Sequence, residues 1–298
     1  MPTLSRRQLV GLLLLTLMWG LNWPIMKISL REMSPLHFRA ATMAGGALVL
    51  AAWFGWRGLR LLPRGAAEWR AVVVLGAPNI LGWHALAIIG VAHLPAGRAA
   101  ILGFTMPVWA VLLGVLFYGE RFTARLALAV GAVLAGITLL LWNELGHLTG
   151  NPAGIVWMQA AAFCWALGTI WMRRAHLTLP AETLVVWMMA LSSVVIEALA
   201  LLLEPAQRWQ FSAPVWASLV WSVLINYGAA QAIWFALARA LPSSTSAMSV
   251  MAVPMVGVLS SPLIVGEWPS WQDLAAMACV VVAIGAVLLR PAVRSANS

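Results

Sequence analysis

Ten apolar runs of roughly twenty residues each fill nearly the whole chain, at about 8–30, 35–54, 69–91, 95–118, 123–142, 153–174, 180–203, 213–237, 241–265 and 271–290. A helix of that length matches the hydrocarbon layer of a bilayer. No water is available inside that layer to bond a free amide or carbonyl, so the backbone must satisfy itself. The runs predict an all-α polytopic membrane protein with ten transmembrane helices. Charge content agrees: only 9% of the 298 residues are charged and 62% are hydrophobic, whereas a soluble domain has about 25% charged residues. Breakers and caps occupy the gaps, at Ser34-Pro35, Leu94-Pro95, Asn151-Pro152, Leu241-Pro242 and the Ser270-x-x-Asp273 capping box. They leave no room for a soluble domain.

The formal net charge of +9 does not point to nucleic acid, because the basic residues are scattered through short gaps. They serve better as topology signals. With the N-terminus inside, the cytoplasmic side receives 13 of the Lys and Arg residues and the outside 5, the latter being Lys27, Arg31, Arg39, Arg98 and Arg208. This bias predicts that both termini are cytoplasmic. Arg6-Arg7 and the greasy run after them imitate a signal peptide, but bulky Trp19 and Trp23 follow where a small-x-small cleavage site would be needed. The run reads as an uncleaved first span. Cys164 and Cys279 lie in apolar runs without CxxC or histidine neighbours and read as small core residues.

An internal repeat constrains the arrangement further. At a shift of 147, Asn79 meets Asn226, Leu94-Pro95 meets Leu241-Pro242, Pro107 meets Pro254, and Gly119-Glu120 meets Gly266-Glu267; Gly103 meets Val250. At a shift of 146, Trp19 meets Trp165 and Lys27 meets Arg173. Each unit, residues 1–148 and 149–298, therefore holds five spans. Five is odd, so the second unit enters the membrane inverted. Inverted repeats put a substrate site near the midplane, between the halves.

The segment "AAILGFTMPVWAVLLGVLFYGERFTARLALAVGAVLAGITLLL", residues 99 to 141, resembles the closing part of an EamA domain, and residues 246 to 289 resemble it more loosely. "WGLNWPIMKI" and then "SPLHFRAA", with Arg39 early in span two, resemble the family's opening. The resemblance covers the whole chain, twice. It implies the drug/metabolite transporter superfamily, ten spans and alternating access in a bacterial inner membrane; more narrowly, it suggests those members that export aromatic amino acids. One departure is that span seven has no arginine matching Arg39.

Several deep polar and aromatic residues are site candidates. In "MWGLNWPIMK", Pro24 frees the carbonyl of Gly20, which needs protein or a wet cavity to cover it. Asn22 is placed to bond such a group, or a substrate amine or carboxylate. Lys27 is expected to snorkel to the outer interface. Asn79 and Trp83 share one face of span three, and His84 lies on the adjacent face. In span eight, Tyr227, Gln231 and Trp234 form one stripe beside Asn226. Asn79 and Asn226 serve equally well as interhelical glue. Of 18 tryptophans, Trp53, Trp56, Trp69, Trp142, Trp209, Trp268 and Trp271 sit near span ends as belt residues, while Trp19, Trp23, Trp83, Trp165 and Trp234 lie deeper. A deep aromatic wall suits a flat apolar side chain or an ammonium, or ordinary packing. Glu197, well inside a span, is a candidate proton site or an interface residue. Glu120 and Glu267 read as turn and cap groups, and Arg39 and Arg98 as rim residues in ion pairs or snorkelling.

The candidate substrate set is thus Trp19, Asn22, Trp23, Asn79, Trp83, His84, Trp165, Tyr227, Gln231 and Trp234. The expectation is a monomeric carrier in the lipid bilayer, exporting small molecules, foremost aromatic and apolar amino acids, with no cofactor and no metal. A drug cation would want a deep carboxylate, and a phosphate-bearing cargo would want deep Lys or Arg. An enzyme would need clustered acids, bases or ligands, and the five histidines are scattered.

Overall fold

A computed structural model describes residues 5–146, 151–240 and 252–288. Expectations that rest on Leu241-Pro242, Val250, His147, Arg290 and Arg294 lie outside the described residues. The elements are α1 (Arg6–Ser29), α2 (Pro35–Trp56), α3 (Gly65–Gly76), a first π-helical segment (Ala77–Gly82), α4 (Trp83–His93), α5 (Ala96–Gly103), α6 (Met106–Tyr118), α7 (Ala124–Gly146), α8 (Ala153–Arg174), α9 (Ala181–Leu203), α10 (Ala213–Val220), a second π-helical segment (Trp221–Ala229), α11 (Ala230–Ala240), α12 (Val253–Val265) and α13 (Trp271–Leu288). Merged where they run on, they give eight helices long and apolar enough to cross a membrane, with α12 and α13 as shorter apolar helices. No strand occurs among the described residues.

The helix interruptions fall elsewhere than Pro24. Helix α1 continues straight through that proline. The carbonyl it frees, on Gly20, faces α12: a Cβ built at Gly257 would lie 3.5 Å from that oxygen, and one built at Gly20 would lie 2.5 Å from the Cβ of Val256. Two glycines thus let one helix cover the freed group of the other. Among the described residues the irregular backbone lies in spans three, four and eight. The two π segments overlap under the 147-residue shift, so the repeat preserves a backbone irregularity as well as a sequence. Span four breaks at Phe104–Thr105 between α5 and α6. Gly119 and Gly266 end α6 and α12 with φ of +67° and +76°. This left-handed C-cap conformation favours glycine, and it accounts for the repeated Gly-Glu pair.

The most extensive helix pairings join the first half of the chain to the second: α2 with α9, α7 with α13, α4 with α8, and α1 with α12. The pairings also exchange. Span one packs on spans eight and nine, while span six packs on spans three and four. Carboxylates fix the helix ends across these contacts. Glu204, after α9, accepts from the amides of Leu36 and His37 at 2.8 and 3.1 Å and so caps α2. Glu267 accepts from the Ala96 amide at 2.6 Å and caps α5. Glu32 accepts from the Ser212 amide at 2.8 Å and from its hydroxyl at 2.5 Å, ahead of α10. Those bonds hold the Glu32 carboxyl below its usual range. A lowered carboxyl stabilises the fold above its unfolded value, and the contribution fades as pH falls through the folded one. The predicted Ser270–Asp273 box is formed: the Ser270 amide donates to Asp273 at 2.7 Å, and the Asp273 amide donates to the Ser270 hydroxyl at 3.3 Å.

The belt tryptophans Trp53, Trp56, Trp142, Trp209, Trp268 and Trp271 are exposed. Cys164 and Cys279 are half-buried free thiols, and Cys164 packs where a Cβ on Gly82 would stand.

Candidate functional site

A buried polar cluster forms around Arg39, whose place in the first turn of α2 suggested an exposed rim residue. Its residue is 4% exposed. Nη1 donates to the Tyr227 hydroxyl at 2.6 Å and Nη2 contacts the Met26 sulfur at 3.1 Å. The hydroxyl in turn lies 3.3 Å from Nδ1 of His84, whose ring meets the Tyr227 ring edge-on with centroids 5.6 Å apart. Spans one, two, three and eight thus meet at one guanidinium. Tyr227, 2% exposed, reaches it because Gly46 lies against its ring: a Cβ at position 46 would fall 2.4 Å from the Tyr227 Cβ. Gly46 is about 10 Å of helix rise below Arg39, so the phenol ring runs up α2 from mid-span to the arginine.

The electrostatics of this cluster are unbalanced. No carboxylate among the described residues pairs with Arg39, and its Nε is buried without a hydrogen-bond partner. A buried cation without a counter-charge is costly in a membrane span and tends to mark a functional site. The nearby acids are committed to other groups: Glu204 to the α2 amides and Glu197 to Nδ1 of His37 at 3.1 Å. Arg98, by contrast, is the ion-paired residue expected from the sequence, bound to Asp273 and Glu144.

The predicted site residues fall in five places. Trp83, His84 and Tyr227 line the Arg39 cluster, with the Trp83 and His84 rings 6.5 Å apart. Asn22 lies one turn before Met26 on α1, and its Oδ1 is buried without a partner. The Trp19 and Trp234 rings pack between spans one and eight, tilted at 46° with centroids 5.6 Å apart, and Gln231 is half-buried one turn from Trp234. Asn79 and Trp165 meet on the other side of span three. Asn79 Nδ2 donates to the Trp165 carbonyl at 3.3 Å and to the Thr169 hydroxyl at 3.4 Å, across Gly168. Trp23 turns toward the break in span four, edge-on to Phe104 at 6.3 Å and against Gly103 and Gly257. Lys27 is half-buried, and its Nζ donates to the Ala92 carbonyl at 3.4 Å. The Glu197 side chain is 39% exposed.

Sequence reading passed over Gln159 in span six. Its Nε2 donates to the Leu102 carbonyl at 3.3 Å, and its Oε1 accepts from Thr105 at 3.2 Å and from the Trp109 indole at 3.0 Å. One side chain therefore patches the broken turn of span four. The signal was a lone amide inside an apolar run. Gln159→Leu is expected to lower stability by about 1–3 kcal/mol, since it strands buried donors. Thermal unfolding in detergent checks this, and an unchanged midpoint would remove Gln159 from that role.

A membrane bundle of two like halves, with an unbalanced polar centre where they meet, is the architecture of a membrane transporter. The chain belongs to the EamA-like transporter family, whose model matches residues 7–142 and 152–289. It is 26% identical over 273 residues to the uncharacterized transporter YvbV of Bacillus subtilis, covering 91% of this chain and 88% of that one. It is 24% identical to the "probable amino-acid metabolite efflux pump" of Escherichia coli, covering 89% of each. A solved crystal structure, 20% identical, superposes with a TM-score of 0.66 over 95% of this chain and 96% of the other.

Proposed function

We propose that this transporter exports aromatic and other apolar amino acids across a bacterial inner membrane. It acts as a monomer with ten spans, arranged as two inverted five-helix halves with both termini cytoplasmic. Alternating access exposes the centre to one side at a time. The observation that carries this reading is the buried polar cluster of Arg39, Tyr227 and His84 at the meeting point of spans one, two, three and eight. Asn22, Tyr227 and Gln231 hold the amino-acid head, while Asn79, bonded to span six on the other side of span three, serves as interhelical glue. Trp19, Trp83, His84 and Trp234 supply the aromatic walls, whereas Trp23 and Trp165 pack elsewhere, and flexible, polarizable methionines such as Met26 make the pocket permissive. The exporter named for amino-acid metabolites among the relatives supports the substrate class. A cationic cargo is disfavoured, because it would meet an uncompensated guanidinium.

Liposomes holding the purified protein test the reading with labelled tryptophan, phenylalanine, a quaternary drug and a nucleotide sugar, with and without a pH gradient. Uptake of the amino acids is expected; uptake of the drug alone would remove the proposal. In the same assay Tyr227→Ala and Trp83→Ala should each slow transport by about 10-fold or more, equivalent to roughly 1.4 kcal/mol, while Trp271→Ala leaves it near wild type. Equal effects at all three positions would discredit the site.

A further inference from the structure

We infer that Arg39 is the anchor for a substrate carboxylate and Asn22 the acceptor for its ammonium group, so that a cargo must carry a carboxylate to be transported. This rests on the central-site reading above and names the chemistry that the site selects. The guanidinium offers five donors in a fixed fork suited to a carboxylate. The described residues provide one strong acceptor, the Tyr227 hydroxyl, and one weak one, the Met26 sulfur. Nε has no hydrogen-bond partner, and no carboxylate among the described residues pairs with Arg39. The Arg39 bond to the hydroxyl oxygen leaves the Tyr227 proton free to donate to His84 Nδ1. That chain holds one edge of the fork in place and leaves the Nε side unsatisfied.

Asn22 supplies the second, independent observation. Its Oδ1 is a buried acceptor without a donor, on a residue 6% exposed. Residues four apart lie on one helix face, so Asn22 and the Arg39-contacting Met26 line the same side of α1. An unmet acceptor thus lies one turn along α1 from the methionine whose sulfur touches the guanidinium that carries the unmet donor. A zwitterionic head group satisfies both: its carboxylate balances the guanidinium, and its ammonium donates to the amide oxygen. Span seven has no counterpart of Arg39, so the repeat supplies no second anchor at the matching place.

The test uses the full chain in liposomes with four probes that share a phenyl ring: phenylalanine, phenylpyruvate without the amine, phenethylamine without the carboxylate, and phenylalaninamide. Phenylalanine is expected to be carried at least about 30-fold faster than phenethylamine or the amide, because a site built to bond a group rejects analogues lacking it. Phenylpyruvate should fall between, and Asn22→Ala should abolish its disadvantage. Arg39→Gln should bring phenylalanine down to the rate of the amide, and Arg39→Lys should retain part of the difference. Should the Arg39 variants fail to fold, thermal shift on the unaltered protein decides: phenylalanine raises the melting midpoint and phenethylamine does not. Equal transport of phenethylamine and phenylalanine would overturn the anchor. Transport of phenylpyruvate but no amino acid, lost in Arg39→Gln, would uphold the anchor and end both the Asn22 assignment and the amino-acid reading. Transport of a quaternary drug alone would end all three.

Discussion

Arg98→Ala is expected to cost the folded bundle about 3–5 kcal/mol, the range for removing one partner of a buried ion pair. Arg98 Nε donates to Asp273 Oδ1 at 2.6 Å, Nη2 reaches Asp273 Oδ2 at 3.4 Å, and Nη1 bonds Glu144. Both acids are buried. They also carry helix-end work: Glu144 accepts from the Asn151 amide at 2.7 Å, and Asp273 from the Ser270 amide and hydroxyl at 2.7 and 2.8 Å. Removing the arginine strands two carboxylates at the junction of α5, α7 and α13. Thermal unfolding of the purified protein measures the loss. Arg98→Ala with Asp273→Asn should recover part of it, because one stranded charge goes. A midpoint unmoved by Arg98→Ala would show the network to be ornamental.

Gly168→Ala is expected to be nearly as disruptive, although it adds one methyl group. A Cβ there would lie 2.4 Å from the Asn79 Cβ and 2.7 Å from the Asn79 Cα and amide nitrogen. The obstacle includes backbone, so α8 and the first π segment must separate, and the Asn79 bonds to Trp165 and Thr169 lengthen or break. Overpacking of this kind costs about 1–3 kcal/mol, occasionally more. Gly131→Ala is the control. A Cβ at Gly131 meets nothing within 4 Å, and alanine is the better helix former by about 1 kcal/mol. The two variants should move the melting midpoint in opposite directions. Matching midpoints would refute the close approach.

The apolar runs were readable because lipid imposes length and purity on any segment that crosses it. The repeat was readable because Pro107, Gly119 and Gly266 have backbone requirements that few residues meet. The π segments were not. Hydropathy reports which residues are apolar, and it does not report which carbonyl each amide chooses. Arg39 was misread for a related reason. A side chain in a first turn is tilted toward the helix start, which for span two pointed to the rim. What draws it inward is a phenol on span eight, admitted by Gly46, and no local window holds both. Gln159 stood in plain view, but its purpose lies on α5 and α6, more than fifty residues away in the chain.

Pairing across the midpoint has a consequence for how the polypeptide can be cut. Each of the polar bonds Arg39–Tyr227, Ser29–Ser218, Asn79–Trp165, Gln159–Leu102 and Arg98–Asp273 has one end in each of the two segments that match the family. A gene severed between α7 and α8 would therefore encode two fragments with exposed, unmet polar faces. Each expressed by itself should be degraded in the cell. Expressed together, they should reassemble and transport.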